Sequence, residues 1–165
     1  MDILTIDIEE QNAILRQKSE KVKEIDQALI DYMDHMVEVI KGSGIGLAAP
    51  QVGRNERFFV VQIEEDKPLY FINPEIIGTS EGLSSYEEGC LSIPGVYGDI
   101  KRPDSIQVQA WNRRGRPFTM EAEGLMATCI QHEFDHLNGI LFMDHLSDRK
   151  KEKLLKKYMK LVESL

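Results

Sequence analysis

The chain has 165 residues, of which 42% are hydrophobic and 29% are charged, and its net charge is −8. These values are typical of one globular domain, so we predict a single catalytic domain over residues 1–165. No apolar run approaches the roughly 20 residues of a membrane-spanning helix. The acidic balance argues against general or sequence-specific nucleic-acid binding. The start of the chain lacks the features of a signal peptide, and two cysteines fit a reducing compartment, so we expect a cytoplasmic protein.

Two helices are predicted in the first part of the chain. A short helix is expected over residues 12–18. Apolar residues then recur three and four apart from Ile25 to Ile40, which predicts an amphipathic helix that ends at Gly42. His35 lies away from this apolar stripe, and we interpret it as a surface residue.

The glycine-rich segment 42–46 could resemble a phosphate-binding loop. It lacks the lysine of such a loop and does not open a helix, because residues 47–50 read as extended. A phosphate site is therefore not favoured here. Gln51 follows, and its residue type alone would suggest a surface position.

Strand signals dominate the middle of the chain. Residues 105–111 and 118–122 alternate between apolar and polar around a turn at 112–115, which predicts a β-hairpin. Further strands are expected over 57–63, 69–72 and 74–78. Strands outnumber helices and follow one another directly, so an α+β fold with antiparallel sheets is favoured over a parallel sheet.

The segment that follows Gly124 contains the pattern His-Glu-x-x-His at residues 132–136. On a helix, His132 and His136 lie one turn apart on the same face and can bind one metal ion. Glu133 is rotated by about 100° and can reach a water at that metal without ligating it. A plain surface helix is the alternative, but the apolar flanks indicate a buried one.

Two histidines leave a catalytic metal site short of one protein ligand. Cys129 lies on roughly the same face of the helix as His132. The helical rise from Cys129 to His136 is about 10 Å, however, so the short cysteine side chain would hardly reach a metal ion held between the two histidines. Cys90 is the better candidate, since Gly89 beside it permits close backbone approach.

The C-terminal segment 147–165 has a different character. Between Asp148 and Lys160 it carries seven basic and two acidic residues. Apolar residues recur at helical spacing from Leu154 to Val162, and Ser147 is a suitable N-cap. We predict an amphipathic basic helix, which could be a solvated helix docked on the body or a surface for ribosomal RNA.

Three stretches together resemble the peptide deformylases. They are residues 44–51 (Gly-Ile-Gly-Leu-Ala-Ala-Pro-Gln), 88–92 (Glu-Gly-Cys-Leu-Ser) and 131–136 (Gln-His-Glu-Phe-Asp-His). The likeness runs from about Leu4 to Leu146. It implies small antiparallel β-sheets packed around a central metal-binding helix, with an N-terminal and a C-terminal helix.

The resemblance implies hydrolysis of the N-formyl group from the formyl-methionine of newly synthesised polypeptides, with release of formate. Cys90, His132 and His136 would hold one divalent metal ion. Water activated at the metal would attack the formyl carbon, with Glu133 as general base and then general acid. The Gln51 amide and the Leu91 backbone N–H would stabilise the oxyanion.

The same likeness implies how substrate is bound. The formyl-methionyl peptide would add as a short strand along Ile45, Gly46 and Gly89. The methionine side chain would enter an apolar pocket built from residues that include Tyr86, Leu125, Thr128, Cys129 and the His132 ring. We expect Glu88 to orient the core near Cys90, Asp135 to hold the second shell of a histidine ligand, and Arg102 to replace a peptide-contacting arginine that relatives carry near Tyr97.

Metal identity and partners stay open at this stage. Tetrahedral cysteine–histidine ligation suits Zn²⁺, whereas the resemblance implies Fe²⁺, with Ni²⁺, Co²⁺ or Zn²⁺ able to occupy the site. It also favours ribosome contact through the basic C-terminal helix.

Two rival functions are weighed against this one. A zinc endopeptidase shares the His-Glu-x-x-His pattern, but Phe142 occupies the place of the third histidine of one large class. A non-catalytic metal-binding, ribosome-associated module would need a fourth ligand, and His35 and His145 have no motif support; His145 is expected at the surface.

Overall fold

The computed structural model describes residues 1–165 as four α-helices and seven β-strands, with two short 3-10 turns at Ala49–Val52 and Phe142–His145. The helices are α1 (Glu9–Leu15), α2 (Gln27–Ile40), α3 (Gly124–Leu137) and α4 (Asp148–Glu163). The strands are β1 (Gly46–Ala48), β2 (Phe58–Val61), β3 (Leu69–Thr79), β4 (Leu83–Cys90), β5 (Ile93–Pro103), β6 (Ser105–Trp111) and β7 (Pro117–Glu123).

The strands form two antiparallel sheets. Five strands pair in the order β1-β2-β3-β6-β7, and β4 pairs with β5 as a separate two-stranded sheet. The predicted α+β class is therefore confirmed. The hairpin is also confirmed, with Ser105 opposite Glu123 and Trp111 opposite Pro117.

Strand β2 shows how the large sheet is covered on both faces. Its four residues are fully buried, and successive side chains of a strand point to opposite faces. Phe58 and Val60 pack in a cluster with the apolar stripe of α2, whereas Phe59 and Val61 pack in a cluster with α3. The sheet therefore lies between α2 and α3, and α3 is buried as its apolar flanks predict.

A third cluster joins the small sheet to the C-terminal helix. Leu154 and Tyr158 of α4 are buried against Ile93, Val96 and Ile100 of β5. Ser147 caps α4 by accepting a hydrogen bond from the Lys150 backbone N–H. None of the four helices combines the length and apolarity that crossing a bilayer requires.

Some elements differ from the sequence prediction. The first helix begins three residues earlier than expected, and β3 is one continuous strand where two were predicted. Residues 47–50 were predicted to be extended, but the extended segment ends at Ala48 and Ala49–Val52 form a 3-10 turn. This turn fixes the direction of the Gln51 side chain.

Candidate metal centre

Helix α3 carries two histidines on one face. It starts at Gly124, where a φ of +61° favours glycine, and His132, Glu133 and His136 are among its buried residues. The ring centroids of His132 and His136 lie 5.2 Å apart. Both side chains come from one rigid element, as the i, i+4 spacing predicts.

Cys90 supplies a sulfur to the same place from the end of β4. One donor atom each from Cys90, His132 and His136 lies within 4.8 Å of the other two. Cys90 Sγ is 3.4 Å from His136 Nε2. Sulfur and imidazole donors around one tetrahedral ion lie roughly 3.5 Å apart, given metal–donor bonds of about 2.0–2.3 Å. The three residues therefore fit a divalent metal ion, and burial lowers the pKa of His136, which keeps its ring neutral for ligation.

Cys129 is not part of this group. Its side chain is buried, its sulfur lies 3.9 Å from the Ile45 carbonyl oxygen, and burial raises the pKa of its thiol. A neutral thiol is a poor metal ligand. Cys129 lies in the cavity wall instead.

Glu133 points a carboxylate at the same cavity. It is buried, and its Oε1 atom has no hydrogen-bond partner in the chain. Burial raises the pKa of the Glu133 carboxyl to about 7. A methyl group at Gly46 would lie 2.6 Å from Glu133 Oε2, so the absence of a side chain at Gly46 lets β1 pass close to this carboxylate. An unpartnered buried carboxylate is costly unless a ligand or water completes it.

The Gln51 amide is held in one orientation. Its Oε1 accepts a hydrogen bond of 3.0 Å from the Ala48 backbone N–H. Its Nε2 therefore faces the site, 3.2 Å from Ser92 Oγ and 3.5 Å from Cys90 Sγ. Gln51 is buried, which differs from the surface position that its residue type alone suggests.

A charged chain supports the His132 ligand. Glu88 Oε1 lies 2.8 Å from His132 Nδ1, and Arg102 donates to both Glu88 oxygens at 2.7 and 2.9 Å. Burial alone would raise the pKa of Glu88, but the hydrogen bonds from His132 and Arg102 lower it. Glu88 is thus a buried carboxylate that fixes the ring of a candidate metal ligand.

Asp135 lies behind the chain of residues that supports His132. Its Oδ2 accepts from Arg102 Nη1 at 2.9 Å, Arg102 in turn donates to Glu88, and the same Oδ2 lies 2.8 Å from His145 Nε2. The expectation for Arg102 is wrong. Arg102 is 4% exposed and fully engaged with Glu88 and Asp135, so it has no freedom to bind a peptide. His145 lies at the surface, as does His35.

The donors open into a cavity of about 350 Å³. Every candidate substrate residue that the sequence singled out lines it: Ile45, Gly46, Tyr86, Gly89, Leu125, Thr128, Cys129 and His132. Leu91 also lines it, and no backbone hydrogen bond from the Leu91 N–H occurs among the turns and loops. His136 Nδ1 is buried without a partner, on the side of the ring away from Cys90.

Sequence analysis missed two contributors. Ser92 Oγ accepts a hydrogen bond from Gln51, and the Ser92 backbone N–H points at the Cys90 sulfur at 3.4 Å. The position of Ser92 two residues after Cys90 was the only feature of the sequence that could have indicated this role. The pairing of Arg102 with Glu88 links positions 14 apart on adjacent antiparallel strands. A paired β4–β5 hairpin would have indicated it, but that hairpin was not predicted.

Comparisons with known proteins agree with this geometry. Residues 3–152 match the family described as polypeptide deformylase. A peptide deformylase of Agrobacterium fabrum is 47% identical over 152 residues, 89% of each chain, and one of Borreliella burgdorferi is 48% identical over 151 residues, 90% of this chain and 92% of that protein. The crystal structure of a Synechococcus elongatus peptide deformylase in complex with actinonin has a TM-score of 0.88 at 41% identity and covers 95% of this chain and 86% of that one.

Proposed function

The chain belongs to the polypeptide deformylase family, and we propose that it removes the N-formyl group from the formyl-methionine of newly synthesised polypeptides, with release of formate. The close grouping of Cys90, His132 and His136 with the unpartnered Glu133 carboxylate supports this proposal most directly. Amide hydrolysis needs a polarised carbonyl, a base for water and donors for the oxyanion. This cavity has residues suited to each task.

Cys90, His132 and His136 would hold one divalent metal ion. When bound, the ion supplies Lewis acidity, which polarises the formyl carbonyl and acidifies water. We propose Fe²⁺ as this ion because of the likeness to the family, while the donor set also accommodates Zn²⁺, Ni²⁺ or Co²⁺. The Glu88 carboxylate would keep the His132 ring in register by accepting from Nδ1–H, which leaves Nε2 free to ligate.

Glu133 would act as the proton carrier. One of its carboxylate oxygens has no partner and the carboxylate lines the cavity beside the donors. It would take a proton from the attacking water and return that proton to the amino group as the formyl carbon–nitrogen bond breaks. The products are then formate and a free amino terminus.

Gln51 and Leu91 would stabilise the negative charge that develops on the formyl oxygen. The bond from Ala48 to Gln51 Oε1 turns the amide N–H donors toward Cys90. Leu91 follows Cys90 directly in the chain and lines the same cavity. Fixed donors of this kind stabilise the transition state without reorganising during the reaction.

The peptide would bind as a short strand between the two sheets. Ile45 and Gly46 belong to the β1 side and Gly89 to β4, so both edges can offer backbone groups. The methionine side chain would enter the part of the cavity lined by Tyr86, Leu125 and Cys129. The buried thiol of Cys129 would serve there as a small apolar wall.

The test is formate release from a formyl-Met tripeptide by protein purified without oxygen and loaded separately with Fe²⁺ and Zn²⁺. We expect formate with no cleavage of internal peptide bonds, whereas internal cleavage of an unformylated control peptide would support an endopeptidase. Bound metal with no formate and no cleavage would contradict the proposal and favour a non-catalytic metal-binding module.

We further propose that α4 contacts the ribosome through basic side chains that include Arg149 and Lys160, and that the protein acts in the cytoplasm. The helix is capped, docked by Leu154 and Tyr158, and exposes most of its basic residues. Co-sedimentation with ribosomes at physiological salt should occur for the full chain and weaken for the double variant Arg149→Glu/Lys160→Glu. Equal co-sedimentation would contradict ribosome contact through this helix.

A further inference from the structure

A second cavity, of about 290 Å³, adjoins the metal centre. The two cavities share Val96 and Tyr97 in their walls. Tyr97 is 63% exposed, and its ring packs so closely over Gly89 that a methyl group there would lie 2.6 Å from it. Tyr97 therefore borders both the substrate cavity and the second cavity.

Helix α4 forms one wall of the second cavity. Leu154 and Tyr158 hold α4 against β5, and the Tyr158 hydroxyl donates to Asp7 Oδ1 at 2.6 Å. Leu146 and Leu154 provide its apolar lining. We call this cavity, lined also by Gly98, Asp99, Lys150, Lys153 and Lys157, the lysine groove.

The lysine groove is positive in a chain whose net charge is −8. Lys150, Lys153 and Lys157 line it from successive turns of α4, against the single acidic residue Asp99. All three lysines are exposed. The ion pairs of the α4 lysines involve Lys151 and Lys156 instead. Three cations thus converge on a groove without an acidic partner for each.

The neighbouring wall of the metal cavity is suited to peptide beyond the methionine. Residues Pro94–Tyr97 line that cavity but include neither a candidate metal ligand nor the proposed proton carrier Glu133. A polypeptide substrate must continue past the reacting end, and a path over Tyr97 enters the lysine groove.

Resting on the proposed function, we propose that the lysine groove binds acidic side chains of the substrate downstream of formyl-methionine. Peptides with acidic residues there are preferred over peptides with basic ones. An exposed ion pair contributes modestly and is screened by salt. The preference is therefore a few-fold for each pair of charges and declines as ionic strength rises.

The experiment compares kcat/KM for formate release from eight-residue formyl-Met-Ala peptides of alanine and serine. Each carries a Glu-Glu or a Lys-Lys pair at positions 3–4, 5–6 or 7–8. An extended peptide advances about 3.3 Å per residue, so the three placements show which peptide positions reach the lysine groove. At about 0.02 M salt, the Glu-Glu peptide should exceed its Lys-Lys counterpart about 3- to 10-fold at one position at least, and the ratio should approach one at about 0.5 M.

Charge reversal locates the effect. The double variant Lys153→Glu/Lys157→Glu should lose or invert the Glu-to-Lys ratio. The double variant Lys156→Glu/Lys160→Glu is the matched control, since it changes the net charge by the same amount, lies on the same helix and does not line the groove; it should keep the wild-type ratio. An equal loss in both variants would show that net charge sets the preference and would overturn the proposal.

The wild-type protein also separates this proposal from the proposed function. Turnover of a formyl-Met tripeptide without charged side chains, which offers no acidic group to the groove, reports the activity alone. If the tripeptide is turned over and kcat/KM is equal for the Glu-Glu and Lys-Lys peptides at every position, the groove proposal is overturned but the proposed activity is not. No formate from any peptide overturns both.

Discussion

Glu88 and His132 lie 2.8 Å apart between Oε1 and Nδ1, although 44 positions separate them in the chain. The pair joins the small sheet to α3, and Arg102 donates to both oxygens of the same carboxylate. A carboxylate in this position sets both the tautomer and the direction of the ring. The geometry of the metal centre therefore depends on residues that ligate nothing.

Replacing Glu88 with Gln should weaken metal binding. The amide keeps the size of the side chain but loses the negative charge that His132 and Arg102 share. We expect about a 10- to 100-fold loss of Zn²⁺ affinity, measured by competition with a chelator. Glu81→Gln, at an exposed position, controls for the loss of one charge. Unchanged affinity in the Glu88 variant would contradict a positioning role.

Gly46→Ala should impair turnover through Glu133. The added methyl group would lie 2.6 Å from Glu133 Oε2, which must then move. We expect kcat for formate release to fall about 10-fold or more while the thermal unfolding midpoint changes little, since small displacements of a catalytic group are costly. Gly78→Ala is the control, because its methyl group meets Gln107 at an ordinary 3.4 Å. Equal activity of the two variants would refute this prediction.

Gly139→Ala should destabilise the protein strongly. Gly139 has a φ of +73°, and a methyl group there would clash with the Arg16 backbone carbonyl. Gly115 has the same φ of +73° with nothing within 4 Å, so Gly115→Ala isolates the backbone strain from the clash. We expect the free energy of unfolding to drop about 1 kcal/mol for Gly115→Ala and about 3 kcal/mol for Gly139→Ala. Denaturant titration measures both, and similar losses would show that the chain relaxes around Arg16.

Asp144 should contribute to stability in a pH-dependent way. Burial alone would raise its pKa, but hydrogen bonds from Arg16 and Lys151 hold the pKa well below its usual range. The ionised form is therefore favoured in the folded state. Its contribution is present above the unfolded-state pKa of about 4 and is lost as pH falls toward the lower folded-state value.

Asp144→Asn should lower the free energy of unfolding at pH 7 by about 1–2 kcal/mol, a value discounted because both partners are partly exposed. The difference from wild type should shrink between about pH 4 and pH 2. Urea titrations across that range provide the measurement. A difference that stays constant with pH would show that packing, and not charge, accounts for the loss.

The features that the sequence predicted correctly are those encoded by residues close together in the chain. The two α3 histidines and the β6–β7 hairpin depend on short periodic patterns, and both were predicted from spacing. The β4–β5 pair was missed because its residues mix polar side chains and glycines, so neither strand alternates clearly between apolar and polar residues. The two strands are stabilised by pairing with each other and by the packing of α4 on Val96 and Ile100.

The supporting shell of the site was predicted less well for a similar reason. Arg102 reaches Asp135 across 33 positions, a contact that no local pattern encodes. The orientation of Gln51 depends on a 3-10 turn that its sequence did not suggest, since residues 47–50 read as extended.

The most direct test is Glu133→Gln, with metal content and formate release measured on the same samples. This change preserves the size of the side chain and removes the base. We predict that the variant retains one equivalent of metal and loses about 10²- to 10⁴-fold in kcat on a formyl-Met tripeptide. Retained metal with wild-type turnover would contradict the assignment of Glu133 as the proton carrier, and with it the hydrolytic mechanism proposed for this site.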